Sequence, residues 1–502
     1  MSRFTAGFLA WLILGLPTLA APVELIVKPE IIQINGKPAE VYAIVQSDGT
    51  RGITVNERDG FHVILKNELP YPTTIHWHGL ILPNLQDGVP FVTQNPIPPG
   101  GAQEYKFPLV QHGTYWMHSH YGLQEQVLTA APLIILNEEE KREADREFTV
   151  MLADFSFKSP KEILASLVKP EMPVMPEMKK PMDGMDAKKT QPSRVQVWNE
   201  AAGKFTSATG EKPPTDIDVK YDALLANRRS ADQAEILPVK GGESVLLRFI
   251  AGASATNFFL DTGALEAELL AVDGKPVEPL KGDFFQLALA QRIDLRVKIP
   301  AKGGAFPILA LGEGTRLQTG VILATEGADL PKISGEAGIV AGALDNTQEI
   351  RLRATQPLAP AKVDRELPSR LGGNMADYVW TINGKAYPNR DSLDVKKSER
   401  VEMTLTNATM MSHPMHLHGH DFQVVEIDGQ SLSGALRDTV SVPPGSTIKI
   451  QFQADNPGLW AYHCHIVYHL ARGMFTVVKY EGADLAFWQP EKTAAELKEN
   501  LP

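Results

Sequence analysis

Cysteine is almost missing from this chain: Cys464 is the one thiol in 502 residues. A single cysteine excludes an internal disulfide framework. Positive charge is also in deficit, with 49 Lys and Arg against 60 Asp and Glu and no long basic run. That excludes the footprint of a nucleic-acid binder. The net charge of −11 favours solubility and leaves room for cationic substrates. Helical periodicity is scarce, with "SPKEILASLV" (159–168) and the tail "AAELKEN" the main candidates. Nothing after the opening stretch approaches the roughly 20 apolar residues of a membrane span.

The opening stretch, residues 1–21, has the layout of a secretion signal. Arg3 supplies the positive start, "FLAWLILGL" a short apolar core and "PTLAAP" a small-residue exit, so the mature chain is expected to begin near Ala21 or Pro22. An uncleaved anchor is the alternative reading. Export implies a periplasmic or secreted protein in an oxidising compartment, where a lone cysteine is a free thiol, an intermolecular link or a metal ligand. We expect a monomer with no membrane span in its mature form.

What the chain has in quantity is short alternating runs such as "FHVILKN" and "STIKIQFQ", set between Pro, Gly and Asn turns. This is the pattern of β-sandwiches. One layout recurs in "VNERDGFHVILKN" (55–67), "VKGGESVLLRFIA" (239–251) and "VKKSERVEMTLTN" (395–407), which indicates three related domains. The repeat aligns the histidines: His76 stands nine residues after Asn67, and His416 nine after Asn407. The matching middle positions are Leu260 and Thr262. In a second register, Pro98 to His118 and Pro443 to His463 both span 20 residues, which puts Ser119 at the position of Cys464. The middle domain therefore reads as a spacer between two metal-bearing ones.

Ten of the 13 histidines lie in four clusters: "HWH" (His76, His78), "HSH" (His118, His120), "HPMHLH" (His413, His416, His418) and "HCHIVYH" (His463, His465, His469). On a strand, His-x-His presents two imidazoles on one face and the middle residue on the other. Four such pairs give eight imidazoles, too many for one ion, and imidazole suits copper, zinc, iron and nickel. Cys464 points away from His463 and His465, where it can meet His413 and His469 with Met474 as a weak axial partner. A thiolate, two imidazoles and a distant thioether form an electron-transfer copper set. Zinc is the rival metal, but a methionine partner and a neighbouring polyhistidine cluster fit it poorly.

The stretches "HWHG", "WMHSH", "HPMHLHGH" and "HCHIVYHLARGM" resemble the four copper-binding motifs of the multicopper oxidases, the laccase family, over essentially the mature chain. The resemblance implies an all-β fold of three cupredoxin-like Greek-key β-sandwich domains: 22–147, 148–340 with a methionine-rich insertion at 169–189, and 341–502. It implies four copper ions and reduction of O2 to water. The type 1 copper would take His413, Cys464, His469 and Met474; type 2, His76 and His416; the type 3 pair, His78, His118, His120, His418, His463 and His465. Cys464 would pass electrons through His463 or His465 to the cluster. Asp87 of "NLQDGVP" matches an acidic residue that assists proton delivery. Some bacterial members carry another carboxylate just after the last type 1 histidine, where this chain has Leu470. His62, His112 and His420 match no ligand position and read as structural.

In motif style the chain is most similar to the bacterial periplasmic copper-resistance oxidases. The insertion holds Met172, Met175, Met178, Met182 and Met185, and thioethers are soft ligands that prefer Cu(I). Met410 and Met411 of "TMMSHPMHLHG" are further substrate candidates, although Thr409 replaces an aspartate found in such enzymes. The expected activity is one-electron oxidation of Cu(I) or phenols coupled to four-electron reduction of O2, serving copper tolerance. Alternatives are a laccase proper acting on phenols and aromatic amines, a Mn(II) oxidase, or a periplasmic copper-binding protein without turnover.

Overall fold

The computed structural model describes residues 22–137, 144–168, 191–212 and 217–499. The signal-like stretch and the insertion 169–189, with Met172, Met175, Met178, Met182 and Met185, lie outside them. Strict alternation builds the sheets: Phe61–Asn67 buries every second residue, and Thr447–Gln453 does the same in the opposite phase. Each such strand lays one apolar face on a core and leaves the other partly wet.

Three β-sandwich units follow one another. The first has two four-stranded sheets, one of which runs Ile53–Asn56, Ala130–Leu136, Gly113–Ser119, Ile75–His78. The middle unit stacks a nine-stranded sheet on a five-stranded one. Its outermost strands in sequence are Arg146–Phe155 and Val340–Ala341. The third unit pairs a seven-stranded sheet with a five-stranded one ordered Leu393–Val395, Phe475–Tyr480, Leu459–Cys464, His413–Leu417, Thr439–Val442.

Helices are few. Pro160–Leu167 starts at Ser159 with a full capping box to Glu162, and Pro490–Glu499 ends the described chain. Among the described residues no helix is long and apolar enough to cross a membrane.

The repeat has a physical anchor. Asn67 donates through Nδ2 to the carbonyls of Tyr71 and Ile97, both at 2.9 Å, and accepts from the Leu69 N–H at 3.0 Å. Asn407 makes the same three bonds one repeat later, to Met411 at 2.7 Å, Val442 at 2.8 Å and Thr409 N–H at 2.9 Å. Each asparagine fastens the loop that leads into a His-x-His strand. The middle repeat has Ala251 at this position, and no histidine strand follows.

Asn407→Ala would leave these buried groups unpaired, at about 1–3 kcal/mol each before relaxation. The expected loss is about 2–4 kcal/mol, read as a lower urea midpoint with an unchanged slope. A shift within error would show that water replaces the amide.

Candidate metal centre

The first and third units meet through their histidine strands. Ile75–His78 pairs antiparallel with Gly113–Ser119, setting His76 opposite His118 and Ile75 opposite Ser119. His413–Leu417 pairs with Leu459–Cys464, setting His416 opposite His463 and Met415 opposite Cys464. The two registers agree residue for residue. The interleaved Trp77, Met117, Met415 and Leu417 are fully buried in the units' own cores, so the imidazoles are left to the interface.

All eight cluster histidines are at most 6% exposed. Five of them have Nδ1 tied down. His76 Nδ1 lies 2.9 Å from the Asp87 carbonyl, His416 Nδ1 2.9 Å from the Asp438 carbonyl and His463 Nδ1 3.0 Å from the Cys464 carbonyl. His418 Nδ1 reaches Asp87 Oδ2 at 2.9 Å, and His118 Nδ1 lies 3.1 Å from the Ser119 carbonyl. A carbonyl or carboxylate oxygen only accepts, so these Nδ1 atoms carry the protons and the Nε2 atoms face inward as bare lone pairs.

The inward atoms fall into three groups. His76 Nε2 and His416 Nε2 are 3.4 Å apart. His463 Nε2 lies 3.0 Å from His418 Nε2 and 3.4 Å from His120 Nε2. His78, His118 and His465 form a triangle of rings with centroids 5.0–5.7 Å apart, and His78 Nδ1, His118 Nε2 and His465 Nε2 have no hydrogen-bond partner among the described residues. Lone pairs at 3.0 Å repel unless a cation lies between them. The donor set therefore fits a cluster of metal ions. Burial, reinforced by neighbouring rings, holds His78, His118, His120, His416, His418 and His465 well below the ordinary histidine range. His463 is pulled down to about 4, mainly by burial. The rings stay neutral and ready to ligate.

On the opposite face Cys464 Sγ lies 3.6 Å from His413 Nδ1 and 3.6 Å from His469 Nδ1, which are 3.2 Å from each other. A short helix, Val467–Ala471, turns His469 back towards the thiol. His413 Nε2–H donates to Thr409 Oγ1 at 2.7 Å, and Thr409 in turn donates to Asn407 Oδ1 at 2.8 Å. His469 Nε2 lies 2.8 Å from Asp218 Oδ2, which also accepts the Tyr378 hydroxyl at 2.8 Å. Both Nδ1 atoms are thereby left bare beside sulfur. Burial pushes the Cys464 thiol up, so a bound cation is what would make it a thiolate. Met474 is fully buried, and its carbonyl accepts the Cys464 N–H at 3.1 Å.

Family models described as multicopper oxidase match residues 27–141, 197–327 and 362–484. The multicopper oxidase MmcO of Mycobacterium tuberculosis is 33% identical over 84% of this chain and 79% of its own. A copper resistance protein A homolog of Pseudomonas syringae pv. tomato is 29% identical over 88% of this chain and 89% of its own. In fold the chain is similar to Fet3p, described as a multicopper oxidase that functions in iron import, with a TM-score of 0.73 at 22% identity, covering 94% of this chain and 93% of that one. The chain belongs to the multicopper oxidase family. It is an oxidoreductase with O2 as acceptor, and its cofactors are four coppers of types 1, 2 and 3.

The structure brings the ten clustered histidines, Cys464 and Asp87 into these two adjoining places. Met411 is 5% exposed and lines a cavity with Asp218, Ser412 and Ile466. Met410, at 77% exposure, faces solvent instead. His420 Nδ1–H donates to the His418 carbonyl and its Nε2 pairs with the Tyr480 hydroxyl, while His62 and His112 pair with Glu104 and Glu57, so these three are engaged elsewhere.

Four further residues have contacts with the histidines that are found only in space. Thr409 braces His413, and Asp218 braces His469. Asp438 touches His78 and His416. Glu125 is buried, with Oε2 3.0 Å from His118 Nδ1 and Oε1 3.6 Å from His465 Nδ1. It lines one cavity with Leu470, so the first unit supplies a carboxylate close to where Leu470 lacks one. Burial first, then Asp154, pushes Glu125 well above the usual carboxylate range.

The lowered histidines fix a pH dependence for the metal-free chain. Their folded values lie below the ordinary 6.5, so below pH 6.5 the unfolded chain binds more protons and stability falls as pH falls. Each such histidine contributes at most about 1.4 kcal/mol per pH unit. Glu125, Asp273, Asp283, Asp294 and Asp421, raised chiefly by burial, act in the opposite sense but are outnumbered by the lowered histidines. The metal-free protein should lose stability steadily from pH 6.5 to about 4, while the copper-loaded protein resists until ligation is lost. Parallel melting curves for the two forms would contradict this.

Proposed function

We propose that this chain is an exported, monomeric oxidase that converts Cu(I) to Cu(II) at the expense of O2, serving copper tolerance in the periplasm. One observation carries the substrate reading: the buried thioether-bearing Met411 and the Asp218 carboxylate line one cavity at the edge of the Cys464 site, with Asp218 against His469. A soft sulfur and a carboxylate together suit a copper ion. The methionine-rich segment 169–189 adds five thioethers in sequence, and relatives include proteins named for copper resistance.

In this reading His413, Cys464, His469 and Met474 hold the type 1 copper. His76 and His416 hold type 2. His78, His118 and His465 hold one type 3 ion, and His120, His418 and His463 the other. When bound, the coppers take electrons singly from substrate and deliver four to O2, which with four protons gives two waters. Asp218 orients His469 and presents a negative edge to an incoming cation. Cys464 spans the two places, because its flanking residues are His463 and His465. Asp87, in contact with His76 and His418, is the carboxylate placed to hold a proton beside the type 2 position. Phenols are the second reading, since Asp218 is also placed to accept a phenolic O–H at the same edge.

Two measurements test this. Cys464→Ser should abolish both the blue absorption and substrate oxidation; a variant that stays blue would overturn the type 1 assignment. Met411→Leu keeps the volume and removes the sulfur. We expect kcat/KM for Cu(I) to fall about fivefold, roughly 1 kcal/mol of transition-state binding, with phenol oxidation unchanged. Equal losses on both substrates would reduce Met411 to packing.

A further inference from the structure

The middle unit contributes no histidine to the cluster, yet two consecutive residues at the start of its Arg292–Lys298 strand reach the histidine shell. The Arg292 side chain is fully buried. Its Nη1 donates to Asp438 Oδ1 at 2.9 Å and its Nη2 to Asp438 Oδ2, a two-pronged pairing of guanidinium and carboxylate. The guanidinium is itself held, with Nε donating to the Thr114 carbonyl of the first unit at 3.1 Å and Nη1 to the Ala290 carbonyl at 3.1 Å. Gln291 Nε2 donates to the carbonyl of Thr439, the next residue along, at 3.0 Å.

Asp438 and Thr439 are the residues that grip the histidines. Asp438 Oδ1 lies 3.1 Å from His78 Nε2, and the Asp438 carbonyl accepts His416 Nδ1–H at 2.9 Å. Thr439 Oγ1 donates to Asp438 Oδ1 at 2.8 Å and stands 3.2 Å from His78 Nε2. His78 is the exception among the cluster rings, since its Nε2 faces outward and its Nδ1 inward. The acceptor on Asp438 sets that orientation. Gly79 of "HWHG" shares in the arrangement: it has φ +85°, and a Cβ there would collide with Asp438 Oδ2 and Arg292 Nη2.

We infer that Arg292, seconded by Gln291, is a positioning residue for the copper cluster, fixing through Asp438 the ring orientation of His78 and the placement of His416. The middle unit is therefore part of the oxygen-reducing site rather than a spacer. The inference rests on the reading of His78 and His416 as copper ligands. Asp438 is buried, so without the guanidinium it loses its counter-charge and its fixed orientation.

The test compares Arg292→Met with Arg437→Met. Arg437 is also fully buried and ion-paired, to Asp273 across the same units and to Glu349 within the third, but its side chain makes no contact with a cluster histidine among its described bonds. Copper-loaded proteins are dialysed against a competing chelator and read by metal analysis, by the blue absorption and by the paramagnetic type 2 signal. Arg292→Met should weaken cluster copper 10–100-fold, the usual effect of losing an outer partner, and alter the type 2 signal while the blue absorption persists. Arg437→Met should match the wild type in all three. Equal effects of the two variants, or wild-type retention in Arg292→Met, would overturn the inference. If Arg292→Met does not accumulate folded, Arg292→Lys decides in the same way, since it keeps the charge and loses the fork. A wild-type protein without a type 2 signal would overturn the ligand reading and this inference with it, an outcome distinct from a normal wild type beside a normal variant.

Discussion

Eight buried imidazoles packed together at a domain interface are the constraint on which the rest of the structure depends. His418 and His463 bring bare Nε2 atoms within 3.0 Å of each other in a place that is shielded from water. Such an arrangement has no favourable state of its own. The Nδ1–H groups of His76, His416, His418 and His463 are committed to carbonyl or carboxylate oxygens, so their facing nitrogens have no proton to share. Only cations between the lone pairs turn repulsion into bonding, so the polypeptide is built to be completed by metal. The surrounding shell has one task, which is to hold those lone pairs on target.

That shell is drawn from all three units. Asp87 of the first braces His418 of the third, and Asp438 of the third braces His78 of the first. The middle unit supplies Asp218 behind His469, Arg292 behind Asp438, and Arg248, which bonds Asp294 and reaches Thr114 of the first unit. Buried ion pairs of this kind stabilise little against an apolar filling, but they penalise any misplaced docking, because a shifted interface would strand a buried charge. Specific docking is what a site shared between separate units requires. The repeated asparagines act at a more local level, each pinning the loop before a histidine strand.

Much of this was legible in the sequence because the chemistry is written at strand period. Alternation in "HWH" and "HCH" fixes which side each imidazole takes, and the spacings from Asn67 and Asn407 and from Pro98 and Pro443 make His76 equivalent to His416 and His118 to His463, in keeping with the two strand pairings. The opposite orientation of Cys464 follows from the same two-residue period. Thr409 shows the limit of motif comparison. It reads as a substitution that spoils a substrate site, and in the fold it is the hydroxyl that anchors His413.

The sequence by itself determined the fold class, the three-fold repeat and the faces on which the histidines and the thiol lie, because strand periodicity is a local property of the backbone. Tertiary structure alone decided which ring nitrogens face one another at the interface, and which carboxylates, Glu125, Asp218 and Asp438, stand behind them. It also gave the middle unit a part in the site. Those choices depend on side chains brought together by docking, such as Arg292 and Asp438, 146 residues apart. No local pattern encodes a partner that only the packing of separate sandwiches brings within hydrogen-bonding distance.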